Sequence, residues 1–426
     1  MKSYESYVHC IDIFRNYREK GHIQVLRLDR RRIGRRLTEN KSDSNGQINT
    51  KNIGLRGIHV ADTMISGVDG ENGKLEYRGY SIADLAKHSN FEETAYLLLY
   101  GDLPTHKQLE GLKVDLANER DIPDQVVQTL KSRFPSALSM DVLQSAISLL
   151  ADFDPDLESE AKDAHRRKGI RLISKVATVI AAWDRIRNGL EYIKPDKTLS
   201  HSANFLYMIN GVKPTEEVAK YIDVAFILHA DHSFNASTFV ARGVASTRAH
   251  MYAAVTAAIG TLSGVLHGGA NTRLMKDLLE IQEPSRVKDW VKTRLNGGGL
   301  IMGMGHAQYK TNDPRAVILK GISEKLGKAT GQAKWYNMTH QIEETTKKEF
   351  LRLKKRNIYP NVDLYSASVY YMVGIDIEIF TSLFAVQRMV GWVAHIIEEK
   401  FAEAQPKAVL YRPSSTYIGR DCGEEG

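Results

Sequence analysis

The hydrophobic positions along the chain favour helices over most of its length. Apolar residues recur at three- and four-residue spacing, the pattern of an amphipathic helix, over residues 91–101, 106–120, 140–153 and 169–186. The segments 215–231 and 236–263 are apolar on all sides, which is typical of central helices. Residues 57–80 instead have short apolar runs broken by Gly, Asp and Asn, which indicates a small strand pair or loops. We therefore predict a large, mainly α fold.

Composition limits the possible partners. The chain has 426 residues, enough for two domains or one large one, and +5 of its net charge of +7 lies in residues 1–50. The remaining body therefore lacks the basic surface of a nucleic-acid-binding protein. The arginine-rich run 26–37 and the polar run that follows predict a basic, disordered extension over residues 1–52. A solvated tail is favoured there over an RNA-binding one.

The cysteines and the apolar runs bear on the compartment. Cys10 and Cys422 stand near opposite ends and form no ligand pair, which argues against a disulfide framework or a zinc site. The first 20 residues have no secretory signal, and the apolar run 251–266 is shorter than the roughly 20 residues of a membrane span. We predict a cytoplasmic protein with no membrane partner and no nucleic-acid partner.

The segment 261–273 is the first candidate for chemistry. An apolar helix is expected to end at Ser263–Gly264, and His267 with two glycines follows. Glycines permit close backbone approach, so the histidine could face a ligand. The alternative is a helix terminus with an incidental histidine.

A second candidate is the glycine-rich stretch 297–316, which must be a loop. Glycine occurs five times before His306, and free backbone N–H groups in such a loop can hold an anionic or nucleotide-like ligand. Asp313 is a plausible cap for the helix that follows. Arg315 then stands where its two-pronged guanidinium can hold a carboxylate. The alternative is a flexible surface loop.

Three further positions carry ionisable groups in apolar surroundings. Asp363 lies in an aromatic stretch where loss of water would raise its pKa toward that of a general base, although a helix cap is the alternative. His229 and His232 are three residues apart and could bind a metal, but buried structural histidines are commoner and we predict no metal. Arg388, on an apolar helix, needs an acidic partner, which could be a substrate.

The order of these segments carries a family resemblance. HADHSFNASTF, LHGGAN, GHAQYKTNDPRA, NVDLYSA and YRPSSTYIG follow one another as they do in the short citrate synthases of bacteria and archaea and the related 2-methylcitrate synthases, which the chain resembles from about Ile53 to Gly419. The resemblance implies a citrate-synthase-like, two-domain helical fold. Residues 53–272 and 373–426 would form the large domain, and residues 273–372 a smaller mobile domain.

The resemblance also implies roles for particular residues. Asp363 would remove a proton from the acyl-CoA methyl carbon, His267 would hydrogen-bond the thioester oxygen, and His306 would polarise the oxaloacetate ketone. The oxaloacetate carboxylates would be held by His232, Arg315, Arg388 and Arg412. Arg412 would come from the partner subunit of a homodimer. CoA would bind at Ile301, Met302, Gly303, Met304, Gly305 and Lys310.

The implied reaction joins acetyl-CoA, oxaloacetate and water to give citrate and CoA, so acetyl-CoA is a substrate and no cofactor is expected. The alternative is 2-methylcitrate synthesis from propionyl-CoA, because one methylene typically contributes only ~1–3 kcal/mol of discrimination. A distant alternative is a non-catalytic helical protein with an RNA-binding tail. Departures from the usual family residues, which bear on CoA affinity and acyl preference, occur at Ser233, Val265, Ala307, Ala367 and Ser414.

Overall fold

The computed structural model describes residues 53–55 and 57–419, and the predicted N-terminal extension and both cysteines lie outside that range. The strands are β1 (Ser66–Asp69), β2 (Lys74–Tyr77) and β3 (Tyr80–Ser81). They form one antiparallel sheet in the order β1-β2-β3, with Val68 opposite Leu75. The predicted strand pair is confirmed, and a third short strand extends it. The hydroxyl of Tyr77 donates to the carbonyl oxygen of Asp231 at 2.9 Å, which ties this sheet to the helical body.

Helices make up most of the described chain, which confirms the predicted mainly α fold. They are α1 (Ile82–His88), α2 (Phe91–Tyr100), α3 (His106–Asn118), α4 (Asp124–Lys131), α5 (Ser139–Leu150), α6 (Lys162–Arg187), α7 (His201–Asn210), α8 (Glu216–His229), α9 (Ala236–Ser246), α10 (Met251–Leu262), α11 (Ala270–Ile281), α12 (Pro284–Asn296), α13 (Pro314–Ala329), α14 (Ala333–Lys354), α15 (Val362–Met372) and α16 (Phe380–Lys400). Short 3₁₀ turns follow α5 at Ala151–Phe153 and precede α16 at Ile377–Ile379.

Several helix ends follow directly from the sequence. α2 ends at Gly101, whose φ of 101° lies in the left-handed region that glycine enters at little cost. α3 begins with a reciprocal capping box between Thr105 and Gln108. α13 begins as predicted, with Asp313 as its cap and Pro314 in its first turn.

The predicted central helix over residues 236–263 is wrong, because the chain breaks between α9 and α10. The hydroxyl of Thr247 bonds back to the carbonyl of Val244, and Arg248 takes a left-handed φ of 69°. The guanidinium of Arg248 donates to the carbonyl of Lys400, and His250 caps the next helix by accepting from the N–H of Ala253. These polar contacts outweigh the apolar pattern that favours one continuous helix.

The core is centred on α16. This helix packs against α6, α9 and α10. The largest fully buried side chains include Trp183 of α6 and Trp392 of α16. The helical span Ile377–Lys400 is long and apolar enough to cross a membrane, but 94% of its most apolar window is buried inside the fold, as in a core helix. α12, α13, α14 and α15 pack mainly on one another and on α11. The domain boundaries at 272/273 and 372/373 stay a prediction.

Candidate active site

The candidate residues lie at helix ends and in loops, around one buried helix. His232 follows α8, His267 lies between α10 and α11, and His306 lies in the loop before α13. Arg315 and Asp363 occupy the first turns of α13 and α15, and Arg388 lies in the middle of α16. Helix starts and loops leave backbone groups free, so they can position side chains and receive ligands.

His306 has a fixed tautomer. The backbone N–H groups of Gln308 and Tyr309 donate to its Nδ1 at 2.9 and 3.2 Å. An N–H group can only donate, so Nδ1 is unprotonated and the proton of the neutral ring is on Nε2. Burial, aided by the charge of Arg315, lowers the pKa of His306 to about 4. The ring is therefore a neutral hydrogen-bond donor at pH 7.

His267 is held in place by Ser237. Its Nε2 accepts from the backbone N–H of Ser237 at 3.3 Å and lies 3.0 Å from the hydroxyl oxygen of Ser237. That hydroxyl also accepts from the indole N–H of Trp392 at 3.2 Å. Burial and the charge of Arg388 lower the pKa of His267 to about 4. His267 is thus neutral as well, with its proton on Nδ1.

Asp363 is a partly buried carboxylate to which no hydrogen bond is made within the described chain. The cap of α15 is Asn361, whose amide oxygen accepts the N–H of Asp363 at 3.0 Å, so the alternative of a capping aspartate is excluded. Loss of water raises the pKa of Asp363 to about 6, while the charge of Arg315 opposes the rise. A carboxylate with this pKa suits general-base chemistry near neutral pH.

The loop predicted to bind CoA is tied to the same helix start. The N–H of Asn361 donates to the carbonyl of Gly303 at 2.9 Å, and its side-chain amide donates to the carbonyl of Gly305 at 2.8 Å. Gly303 has a φ of 79°, and a Cβ there would lie 2.7 Å from Cα of Leu364. Only glycine permits this approach, which fixes residues 301–305 beside Asp363. The side chain of Lys310 is exposed at the other end of the loop.

Arg315 is a buried cation with a preset geometry. Two of its nitrogens donate to Asp313, Nε to Oδ1 at 3.0 Å and Nη2 to Oδ2 at 2.8 Å. This pair fixes the guanidinium plane and leaves further N–H groups for another anion. The charge of Arg315 acts on the pKa values of His232, His306 and Asp363, so these groups share one electrostatic environment.

Arg388 is a buried cation without a carboxylate partner. Its Nε donates to the carbonyl of His229 at 2.6 Å, and its Nη2 is buried with no hydrogen bond from the described residues. His229 donates through Nδ1 to the carbonyl of Ala225 at 2.8 Å, and its Nε2 is likewise unpaired and buried. Unpaired buried polar atoms are costly, and a polar ligand would supply the partners that these two atoms lack.

His232 joins this group through Tyr309, whose hydroxyl lies 3.2 Å from Nε2 of His232. The rings of His232 and His306 are 5.3 Å apart, and those of His306 and Tyr309 are 4.7 Å apart. The structure therefore brings His232, His306, Arg315, Arg388 and Asp363 together. His267 also lies near this group, because the charge of Arg388 contributes to its lowered pKa.

Arg412 is not among these residues. It is exposed, and it lies beyond α16 in a segment without regular structure. The charges that act on Asp363 come from Arg315, Asp313, Arg273 and Arg388.

Metal-ligand spacing within the described chain occurs at another place, His340, Glu343 and Glu344. Glu343 already pairs there with Lys320 and Lys347.

Sequence reasoning missed four supporting residues. Asp313 was predicted only as a cap, yet it also clamps Arg315, and Asn361 holds both the glycine loop and Asp363. Ser237 and Tyr309 position His267 and His232. Small polar residues at helix starts are the available signal for Asn361 and Ser237, whereas the contact of Tyr309 depends on tertiary structure alone.

Sequence comparison identifies relatives over most of the chain. A citrate synthase from Haloferax volcanii is 42% identical over 371 residues, covering 86% of this chain and 95% of the relative. A 2-methylcitrate synthase from Mycobacterium tuberculosis is 37% identical over 368 residues, covering 86% and 90%.

Solved structures agree with the sequence relatives. Citrate synthase from Pyrobaculum aerophilum superimposes with a TM-score of 0.80 and 36% identity, covering 93% of this chain and 97% of that one. The ternary complex of Thermoplasma acidophilum citrate synthase with carboxymethyl coenzyme A and oxaloacetate superimposes with a TM-score of 0.78 and 32% identity, covering 86% of this chain and 96% of that one. The family model "Citrate synthase, C-terminal domain" matches residues 54–414. The chain therefore belongs to the citrate synthase family.

Proposed function

We propose that the protein condenses acetyl-CoA with oxaloacetate and water to give citrate and CoA, as a transferase of the tricarboxylic acid cycle. One observation carries the proposal. Two neutral histidines of fixed tautomer, His267 and His306, share a site with a carboxylate, Asp363, whose pKa is raised to about 6. The reaction needs this combination of one base and two neutral donors, and it requires no cofactor.

Proton transfer to Asp363 begins the reaction. The methyl group beside a thioester is a very weak carbon acid, so a base alone cannot ionise it at a useful rate. The carboxylate takes the methyl proton while the C–H electron pair shifts toward the thioester oxygen. A donor placed at that oxygen lowers the barrier, and in this proposal the Nδ1–H of His267 is that donor. Its lowered pKa keeps the imidazole neutral, so it stabilises the enolate by hydrogen bonding.

Carbon–carbon bond formation follows. The enolate carbon attacks the ketone carbon of oxaloacetate, and the ketone oxygen gains negative charge. His306 presents Nε2–H as a donor, because two backbone N–H groups occupy its Nδ1. The resulting alkoxide takes up one proton, equal in number to the proton that Asp363 removed, and becomes the hydroxyl of the citryl thioester. Water then adds to the thioester carbonyl and the C–S bond breaks. One proton of the water goes to the CoA thiolate, and the other is released from the new carboxylic acid.

The arginines hold the dicarboxylate. Arg388 has a buried, unpaired Nη2, and Arg315 has its plane set by Asp313. Burial lowers the pKa of Arg388 to about 10, which leaves it a cation at pH 7. Two fixed guanidinium groups beside His232 suit the two carboxylates of oxaloacetate. Correct placement of both substrates can supply roughly 7–11 kcal/mol of the barrier reduction.

CoA is assigned to the loop of residues 301–305, with Lys310 as a cation nearby. The Thermoplasma structure named above contains a CoA derivative and oxaloacetate together, which supports a shared site for the two substrates in this fold. We further propose a homodimer in which Arg412 serves the partner's site, closure of residues 273–372 over the large domain, and a cytoplasmic location.

The test measures oxaloacetate-dependent release of CoA thiol with acetyl-CoA and, separately, with propionyl-CoA. We expect faster release with acetyl-CoA. Faster release with propionyl-CoA would establish 2-methylcitrate synthesis, the second candidate supported by the Mycobacterium relative. Absence of release with both would overturn the enzymatic proposal. Release should persist without residues 1–52, and RNA binding that vanishes with that deletion would support a binding protein instead.

A further inference from the structure

A cavity lined by two carboxylates lies apart from the candidate active site. It has a volume of about 730 Å³, and its walls are the starts of α2 and α7 together with α3 and α8. The two acidic side chains are Glu92, in the first turn of α2, and Asp223, within α8. No residue of the candidate active site lines this cavity. Its volume falls within the range of about 300–1,000 Å³ that is usual for small-molecule pockets.

Glu92 is a buried carboxylate with one oxygen that lacks a donor. The residue is 3% exposed, and its Oε1 accepts the backbone N–H of His201 at 2.8 Å. Its Oε2 accepts no hydrogen bond from the described residues, but it is not sealed inside the protein, and Glu92 lines the cavity. Burial of a carboxylate oxygen without a donor is costly, so a ligand in the cavity that donates to Oε2 would be stabilised.

Asp223 lacks an opposite charge. Its carboxylate accepts from the hydroxyl of Ser202 at 2.8 Å and from the backbone N–H of Phe91 at 3.0 Å, and both donors are neutral. Burial and the negative charges of Glu92 and Glu93 raise the pKa of Asp223 to about 7. A cation in contact would lower that pKa, but within the described chain no cation is among its main influences.

The basic residues around the cavity compensate these carboxylates only in part. Arg120 also lines the cavity, and the charge of Glu92 acts on its pKa. The guanidinium of Arg120, however, donates to the carbonyls of Asp196 and Leu199 at 2.6 and 2.9 Å. Burial, aided by the charge of Arg120, lowers the pKa of His201 to about 3, so that ring is neutral at pH 7. The cavity wall therefore has room for a further positive charge.

The hydrogen bonds already made by the carboxylates favour an ammonium group over a metal ion. Both oxygens of Asp223 accept bonds from O–H or N–H groups, which leaves few lone pairs for the near-octahedral shell that Mg²⁺ demands. An ammonium group carries three donors on a compact charge and needs no fixed coordination number.

The other end of the ligand would meet positive charge. The exposed lysines Lys197 and Lys220 also line the cavity, and neither has a carboxylate partner among the described residues. They would repel a second ammonium group and attract a carboxylate. Because Glu92 is buried and these lysines are exposed, the two ends of such a ligand lie at different depths.

We propose that this cavity binds an amino acid whose ammonium and carboxylate groups are separated by a short carbon chain. The ammonium group donates to Glu92 and Asp223, and the carboxylate faces Lys197 and Lys220. The carbon chain packs on apolar residues of the wall, which are Val114, Ala117 and Ala219.

A competing explanation is that both carboxylates serve only as helix caps. Glu92 accepts the N–H of His201, the first residue of α7, and Asp223 accepts that of Phe91, the first residue of α2. Negative charge near a helix N-terminus is favourable without any ligand. If capping is their whole role, the cavity should not bind an ammonium group.

The first experiment titrates the wild-type protein with δ-aminovalerate by calorimetry, without substrate, at about pH 8, above the raised pKa of Asp223. Three matched probes follow: pentylamine lacks the carboxylate, valerate lacks the ammonium group, and cadaverine has a second ammonium group in place of the carboxylate. We expect δ-aminovalerate to bind most tightly, pentylamine next and cadaverine more weakly, with little binding of valerate. No binding of δ-aminovalerate, or equal binding of valerate, would overturn the proposal.

The second experiment locates the binding in the cavity. Glu92→Gln keeps an acceptor for the N–H of His201 but removes the charge, and we expect the Kd for δ-aminovalerate to rise roughly 10–150-fold. Ala219→Phe narrows the cavity and keeps both carboxylates, so it should weaken binding as well. The matched control is Glu324→Gln, which removes an exposed carboxylate paired with Lys328 and should leave the Kd unchanged. Thermal unfolding checks that each variant is folded. Wild-type affinity in both cavity variants would place the binding elsewhere and overturn the proposal.

Discussion

Two groups of buried charged residues are close to each other in the sequence. They differ in whether each charge has an oppositely charged partner within the protein. Arg242 is paired with both Glu398 and Glu399, and His395 with Asp231, all fully or almost fully buried. We call these five residues the paired network. In the candidate site, by contrast, neither Asp363 nor Arg388 forms an ion pair within the described chain, and Nη2 of Arg388 is buried without a hydrogen bond.

The contrast separates structural charges from functional ones. Burial of a charge is costly unless an opposite charge compensates. Each charge of the paired network faces an opposite charge, although Oδ1 of Asp231, Oε1 of Glu399 and Nε of Arg242 are buried without a hydrogen bond, and we expect these ion pairs to support folding. The unpaired groups of the site raise the free energy of the free protein and are compensated only when a ligand supplies the missing partner. Removal of a charge should therefore have opposite effects on stability in the two places.

The largest expected effect is on catalysis, in Asp363→Asn. We expect kcat to fall about 10²–10⁴-fold, because the amide cannot take the methyl proton. The melting temperature should stay equal or rise, because an ionised carboxylate leaves a partly buried position. The measurements are thiol release and thermal unfolding.

The matched comparison is Asp231→Asn, which makes the same change in the paired network. It removes the carboxylate that faces His395 and accepts from Ser66, so unfolding should occur at a lower temperature. Equal stability losses in the two variants would contradict the distinction between the two regions.

The next largest effect is on stability, in Arg242→Ala. Loss of this guanidinium leaves two buried glutamates without their cation, and we expect the free energy of unfolding to fall by about 3–5 kcal/mol. Arg167→Ala is the control, because it breaks an exposed pair with Asp156 and should cost only about 0–1 kcal/mol. Denaturant midpoints at one fixed protein concentration measure both. Similar midpoints for the two variants would show that the paired network contributes little.

Arg388→Met tests the other half of the comparison, the loss of an unpaired charge in the candidate site. The substitution removes a buried, unpaired cation while keeping most of the side-chain volume, so stability should be preserved. Loss of a charged hydrogen bond to the substrate should raise the KM for oxaloacetate roughly 10–150-fold, which corresponds to about 1.5–3 kcal/mol. Isothermal titration with oxaloacetate measures the loss directly. Unchanged affinity would show that Arg388 does not bind oxaloacetate.

The sequence reveals the site better than it reveals the paired network. His267, His306 and Asp363 stand in short segments where glycine, a helix start or an apolar run marks an unusual local chemistry. Most helices are also predictable, because amphipathic spacing is a local property. Arg242 lies among small residues within a helix, and its pairing with Glu398, 156 positions away, depends on packing that no local pattern contains.

The break between α9 and α10 shows the same limit. The apolar pattern across residues 236–263 continues through it, yet Arg248 turns the chain by donating to the carbonyl of Lys400. Its carbonyl partner belongs to the end of α16, far away in sequence. Local propensity therefore predicts a helix where a tertiary hydrogen bond ends one.

The smallest expected effect concerns pH. It tests whether burial destabilises the ionised form of the Asp363 carboxyl group. Its folded-state pKa is raised to about 6, above the usual range of an unfolded aspartate, so the folded protein binds this proton more tightly. We expect kcat/KM for acetyl-CoA to fall tenfold per pH unit below about pH 6. His267 and His306, with pKa values lowered to about 4 chiefly by burial, remain mainly neutral between about pH 6 and pH 5, so the fall in that interval reports Asp363.

The same shift predicts how the stability of Asp363→Asn compares with that of the wild type. Above about pH 6 the wild type carries the unfavourable carboxylate, so the variant should be more stable by on the order of 2 kcal/mol. This advantage should shrink as pH falls through 6, where the wild type takes up its proton, and should be gone near pH 4. Melting temperatures of both proteins between pH 4 and 8 measure the difference. A constant difference across that range would mean that Asp363 has an ordinary pKa, and the contrast between paired and unpaired charges would then rest on Arg388 alone.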